Sequence, residues 1–254
     1  MKISSVIAVV VVMLGSSLGA CSHSGQLGPK ATPAKAAATN VQLAIEYMKL
    51  NKLADSQEFI GRALKEDPGN ANVQLTAGLV YERLNDMPKA EKAYATAARL
   101  GKNDPNIQND YAGFLCRTGK NAAGEKLFVN VARNPLYQTP EVALVNAGVC
   151  VRSTGDMLDA QRYFNRALAV RPNMPEALLQ LGNVAIDAGD GADALDYVQR
   201  YLAVNPATPE VLWLGFRAQR KLGDATAAAV FARRVQTEFP NSEQAKLMRS
   251  GVDR

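Results

Sequence analysis

Three prolines, Pro172, Pro206 and Pro240, follow one another at intervals of 34 residues. A fixed period of this length constrains the chain more than any other feature, because each repeat must then be one small structural unit that leans on its neighbours. The residues ahead of the prolines recur as well. Gly148, Ala160, Phe164, Ala167 and Pro172 are spaced by 12, 4, 3 and 5 residues, and so are Gly182, Ala194, Val198, Tyr201 and Pro206. Upstream, Gly78, Tyr81, Ala90, Tyr94 and Ala97, and before them Ala44, Tyr47, Ser56, Ile60, Ala63 and Pro68, keep the same offsets. A middle set, Ala112, Leu115, Gly124, Phe128 and Val131, is joined to Gly148 by a step of 36, with Asn134-Pro135-Leu136-Tyr137 absorbing the extra two residues.

The residue types have a physical reason. A small residue in the first half of each unit (Ala44, Gly78, Ala112, Gly148, Gly182) faces a small one in the second (Ser56, Ala90, Gly124, Ala160, Ala194), so two helices close-pack. Bulky residues four places later fill the space toward the next unit, and a proline after the second helix prevents its extension. Gly155, Gly189 and Gly223 fall in the turns between the helices. The 34-residue pattern is that of the tetratricopeptide repeat. The expected fold is all-α, a right-handed superhelix of six helix-turn-helix units at about 37–70, 71–104, 105–140, 141–174, 175–208 and 209–242, followed by a C-terminal tail at 243–254. In the sixth unit Phe216 stands at the small place and Ala232 at the bulky one, which reads as an atypical terminal cap.

Composition removes whole classes of function. With 47% hydrophobic and 21% charged residues the chain is not disordered, and 29 basic against 24 acidic side chains give a net charge of +5 with no basic block. No nucleic-acid partner is indicated. One histidine, His23, and three cysteines leave little for metal or imidazole chemistry. Asp156, Asp159 and Asp190 lie in or near interhelical turns, where aspartate is an ordinary cap. No cofactor, small-molecule substrate or catalytic residue is expected, and the chain does not read as an enzyme.

At the N-terminus, Lys2 precedes an unbroken apolar run, Val6 to Leu14, which is too short to span a bilayer and reads as a signal peptide over residues 1–20. Leu18-Gly19-Ala20-Cys21 resembles a bacterial lipobox, which implies lipid attachment at Cys21. The alternative is an ordinary signal peptide cut after Ala20. Ser22, where an aspartate would retain the lipoprotein in the inner membrane, points to lipid anchoring at the periplasmic face of the outer membrane. Residues 21–36, rich in Ser, Gly, Pro and Ala, are expected to form a flexible tether.

Cys116 and Cys150 sit at places 12 and 10 of units three and four, on first helices that lie side by side in such a stack. In an oxidising periplasm they are expected to pair. The alternative is two buried free thiols acting as small apolar residues.

Asn109-Asp110-Tyr111-Ala112-Gly113-Phe114-Leu115-Cys116, then Gly119, Asn134-Pro135-Leu136-Tyr137 and Ala147-Gly148-Val149-Cys150, resemble the signature of the type IV pilus biogenesis and stability lipoproteins, the pilotins of the outer-membrane secretin. Leu212-Trp213-Leu214 and Phe239-Pro240-Asn241-Ser242 also sit where that family has similar segments. Asp110 departs from the pattern, which has a second Asn there. The resemblance implies six repeats, paired cysteines, and a non-enzymatic role: binding pilus secretin subunits and promoting their localisation and multimerisation for pilus biogenesis and twitching motility. It also implies that places 2, 5, 9, 12 and 13 of each unit face the groove. In the first two units these include Val41, Ile45, Met48, Leu75 and Leu79, an apolar patch suited to a partner, unless these side chains pack on the tether or on one another. A second patch, Trp213 and Arg217 with Arg220 and Lys221, suits an acidic segment, or is a solvated face with a capping aromatic. The competing function is another outer-membrane tetratricopeptide adaptor, serving barrel-protein assembly or cell-wall enzyme activation.

Overall fold

The computed structural model describes residues 32–251. The expected signal peptide, Cys21, His23 and most of the expected tether lie outside the described residues. Within them the chain forms thirteen helices and no strand. The first helices of the six units are α1 (Pro33–Lys49), α3 (Ala71–Arg83), α5 (Pro105–Arg117), α7 (Pro140–Arg152), α9 (Pro175–Asp187) and α11 (Pro209–Leu222). The second helices are α2 (Leu53–Glu66), α4 (Met87–Leu100), α6 (Asn121–Arg133), α8 (Met157–Val170), α10 (Gly191–Val204) and α12 (Ala225–Glu238), and a short α13 (Glu243–Arg249) follows.

Local chemistry sets these boundaries. Pro105, Pro140, Pro175 and Pro209 each open a first helix, where a missing N–H costs nothing. Asp86, Asp156, Asp190 and Asp224 cap second helices, the last accepting from Ala227 N at 2.8 Å. Asp156 and Asp190 are thereby accounted for as caps. Each turn inside a unit passes through one left-handed residue, in order Asn51, Asn85, Gly119, Gly155, Gly189 and Gly223, with φ between 56° and 90°. Only glycine or asparagine adopts that conformation readily, so the turn repeats even where the glycine does not.

The small places do what the repeat requires. Ser56, fully buried, donates from Oγ to the Ala44 carbonyl at 2.7 Å. A Cβ on Gly148 would run into the ring of Phe164, and one on Gly124 would overlap Cys116 Sγ and reach 2.8 Å from the Ala112 carbonyl oxygen. The sixth unit, read as atypical from its sequence, makes its own contact. Gly215, not Phe216, stands against a ring, and that ring is Phe231, not residue 232. This one contact is made a residue earlier, while the other buried places of the unit, Val211, Ala228 and Val235, stay 34 residues after Ala177, Ala194 and Tyr201.

Both ends differ from expectation too. α1 begins at Pro33, inside the stretch assigned to the tether. The residues assigned to a tail contain α13, whose first residue lies 34 places after Pro209. Ala245 on α13 is the last member of a fully or nearly buried series, Val73, Ile107, Ala143, Ala177, Val211 and Ala245, running through every unit from the second. α13 is therefore the first helix of a seventh unit, stopped after seven residues, and it covers Leu212 and Val235 at the end of the stack.

The two layers are packed differently. Every odd-numbered helix from α1 to α11 packs against the next odd-numbered one, whereas no two even-numbered helices approach backbone to backbone. The even helices meet through long side chains only, as where Tyr163 Oη donates to Glu125 at 2.6 Å. That contact and burial push the tyrosine to about 12, burial being the larger cause. A stack crowded in one layer and open in the other curves toward the crowded layer, so the odd helices line the inside.

Candidate functional site

The inner face is best described along place 9 of the repeat, which runs Ile45, Leu79, Gly113, Val149, Asn183 and Arg217 on successive odd helices. Two stretches of the row are linked. Arg217 Nη1 donates to Asn183 Oδ1 at 3.3 Å, and Leu79, Gly113 and Val149 border one cavity. The row begins aliphatic and ends polar and cationic.

In the first two units four of the five expected apolar residues divide between two core clusters. Val41 and Met48 on α1 pack half-buried against the core around Ala44 and Ile60. Leu75 and Leu79 on α3 pack half-buried against Ala90, Tyr94 and Phe114. Ile45 is also half-buried. Part of the expected apolar patch is thus spent on the core, and what faces the groove is the outer side of each residue.

Polar links tie the odd helices together in the middle of the groove. Glu82 on α3 accepts from Arg117 on α5 at two oxygens, 2.6 and 3.0 Å, and from the buried Tyr94 hydroxyl at 2.8 Å. Burial opposes the charge on Glu82, but these hydrogen bonds and Arg117 hold its carboxyl below its ordinary range. Burial and the Glu82 carboxylate together push the Tyr94 hydroxyl far up. Cys116 and Cys150 form a disulfide between α5 and α7, with Cα atoms 5.4 Å apart. Nearby, Asn121 Nδ2 donates to the Cys150 carbonyl at 2.9 Å and Asn146 Nδ2 to Asn109 Oδ1 at 3.3 Å.

Tyr94, Arg117 and the two cysteines line a cavity of about 650 Å³ centred on α5, with Leu79 and Val149 at its sides and Asn109, Asp110 and Asn146 at its rim. Asp110 is open to solvent on one edge. Protein crowds it on the others, so burial raises its carboxyl above the ordinary range despite a hydrogen bond from Asn109 and the charge of Arg117. Of the residues singled out from the sequence, Leu79, Cys116 and Cys150 line this cavity, while Asn109, Asp110, Gly113 and Asn146 were given no binding role. Comparing place 9 across all six units, rather than in the first two, would have exposed the glycine beneath it.

At the far end Trp213 and Phe216 on α11 stack at 5.2 Å, and Arg220 lies over the Phe216 ring. Arg217 and Arg152 converge on Asp187, at 3.6 and 2.8 Å. One carboxylate between two guanidinium groups leaves this end of the groove positive. Among the described residues no cluster of His, Cys, Asp or Glu is suited to a metal, and no helix is long and apolar enough to cross a membrane.

Tetratricopeptide repeat profiles match residues 41–105, 152–219 and 211–242. The crystal structure of PilW, described as a widely conserved type IV pilus biogenesis factor, superposes with a TM-score of 0.72 at 31% identity, over 84% of this chain and 97% of that one. The chain belongs to the tetratricopeptide repeat family and is related to PilW and PilF. The type IV pilus assembly protein PilF of Pseudomonas aeruginosa is 21% identical to this repeat protein over 238 residues, 92% of this chain and 94% of PilF. The solved PilF structure shares the fold, with a TM-score of 0.68 at 18% identity, covering 86% of this chain and 99% of that one. The superhelix of this repeat family is a scaffold typically used for protein interaction, and its relatives point to partners in the pilus machinery.

Proposed function

We propose that the protein is an outer-membrane lipoprotein, anchored through Cys21, that holds subunits of the type IV pilus secretin along its inner face and promotes their localisation and ring assembly. It works without catalysis, as a pilotin in pilus biogenesis and twitching motility. The lipid sets the place and the groove selects the client. The observation that carries this reading is the relation to PilW across nearly the whole length of that chain. The long inner face, aliphatic at its first units and cationic at its last, supports it as a surface for an extended client segment.

The test compares secretin multimers and their membrane fraction in cells carrying the wild-type gene, a deletion and Cys21→Ala. Loss or mislocalisation of multimers is expected in both altered strains. Normal assembly in the deletion strain sinks the reading and leaves an adaptor with a different client. For the groove, Ile45→Asp is a cleaner probe than Val41→Asp, because Val41 packs on the core. It should weaken binding of the secretin's periplasmic domain while leaving the fold intact.

A further inference from the structure

Along place 9 of the inner face every unit but one carries a side chain of valine size or larger, and the exception is Gly113 on α5. The gap coincides with the cavity of about 650 Å³, walled by Leu79 and Val149 and reaching the rings of Tyr94 and Phe128. Packing does not require the glycine. A Cβ there would come to 3.0 Å from Arg117 Nη1, the far end of a flexible side chain, and 3.9 Å from Phe128 Cζ. At Gly78 and Gly215, by contrast, a Cβ would come within 3.0 Å of a core ring. A mid-helix glycine weakens its helix relative to alanine, so α5 gives up stability here for no core contact. Gly61 on α2 is equally unforced, so the cavity and its rim carry the inference rather than the glycine alone.

The rim is chemically one-sided. Asn146 donates to Asn109 across the mouth, and Asp110 stands beside them. Arg117, the cation at the rim, is engaged by both carboxylate oxygens of Glu82. The charge left to face an occupant is therefore the Asp110 carboxylate, which accepts hydrogen bonds and repels acidic groups. That carboxylate lines the cavity and is exposed to solvent, where an occupant of the cavity reaches it.

We infer that the Gly113 notch is a specificity pocket that takes one aromatic side chain with a hydrogen-bond donor, tyrosine or tryptophan, from the protein segment lying along the groove. The ring enters between Leu79 and Val149, and its O–H or N–H is met by the Asn109, Asn146 and Asp110 rim. Aromatic rings suit such a site because they carry a large apolar area and a polar edge in one rigid group. The inference rests on the reading of the inner face as the partner-binding groove.

The test uses the full lipidated chain in detergent, with N-acetyl-tyrosinamide and N-acetyl-tryptophanamide as probes and backbone amide shifts as readout. Wild-type protein should show weak saturable shifts at Leu79, Asn109, Gly113 and Val149, and these should vanish in Gly113→Leu, which restores the row. Gly113→Ala, whose added atom fits, is the fold-preserving control and should reduce the shifts partly. A second arm measures binding of the secretin's periplasmic domain, expected to weaken about thirtyfold in Gly113→Leu with the melting temperature unchanged or raised. Absence of probe shifts, or shifts that persist in Gly113→Leu, overturns the pocket, and so does secretin binding unaffected by filling the notch. Localised probe binding without any secretin binding by the wild type upholds the pocket and rejects the secretin as client.

Discussion

Ile60 and Val198 hold the same place in the first and fifth units, and both are fully buried aliphatic residues. Ile45 and Asn183 also share a place in those units, yet one is a hydrocarbon and the other an amide that donates to its own helix at Leu179. The difference separates two demands on one repeat. Core places answer to the neighbouring helix, which is nearly the same in every unit, so they are held to one chemistry. Groove places answer to whatever lies along the inner face, and they change from aliphatic at the first two units to polar and cationic at the last two.

That contrast is open to attack by mutation, beginning with the core. Phe164→Ala should cost about 3–5 kcal/mol and Ile60→Ala about 2–5 kcal/mol in urea unfolding, in the fourth and first units respectively. If groove-row changes cost as much, the distinction between the two classes of place collapses. Cys150→Ser should lower stability by about 2–4 kcal/mol, measured against wild type with and without reductant. The wild type should lose the same amount on reduction, since the bond closes a 34-residue separation between α5 and α7.

Arg217→Ala and Ile45→Asp sharpen the comparison. Each should change unfolding free energy by no more than about 1 kcal/mol, near the range of surface substitutions. Their effects on binding should differ: loss of Arg217 weakens an acidic client segment in a salt-dependent way, and Ile45→Asp weakens an apolar one independently of salt. The smallest effect is in pH dependence. The Glu82 carboxyl is lowered from 4.5, so its stabilisation is complete above that value and lost as pH falls through the lowered one. Glu82→Gln should flatten that acid loss. Asp110 is raised from 3.8, so its ionised form is disfavoured by the fold. Asp110→Asn should therefore stabilise the protein at neutral pH and have no effect well below 3.8, as read from thermal unfolding across pH.

Much of this architecture is legible in the sequence because the period constrains each position several times over. The units and their turns follow from spacing alone, whereas the ring of Phe164 against Gly148 does not: spacing set Gly148 opposite Ala160 and sent Phe164 toward the next unit. The sixth unit escaped because Gly215 and Phe231 keep their mutual spacing of sixteen residues but leave the register counted from Pro206 and Pro240. α13 escaped because seven residues carry little periodicity, although counting 34 beyond Pro209 would have reached its first residue. In the groove, Trp213 and Arg217 fall on one helix as their spacing of four implies, while the depth to which Val41 and Met48 sink into the core depends on how α1 leans on α3. A single sequence does not encode that lean at any one position. The notch was hidden for another reason: Gly113 follows Ala112 in a motif that looks like core, and an absent side chain leaves no pattern to detect.

The packing of the two helix layers also has a mechanical side. Odd helices abut one another and even helices do not, so bending the stack tighter compresses a closed inner layer, while straightening it pulls that layer apart and only closes gaps between the even helices. Resistance is thus unequal in the two directions, stiff to closing and soft to opening. Along the length it is unequal as well, because one junction, between α5 and α7, is bolted covalently and the others are not. The molecule is in effect two short leaf springs clamped at a common middle, each free to flex outward and sharing a fixed seat at the bolt.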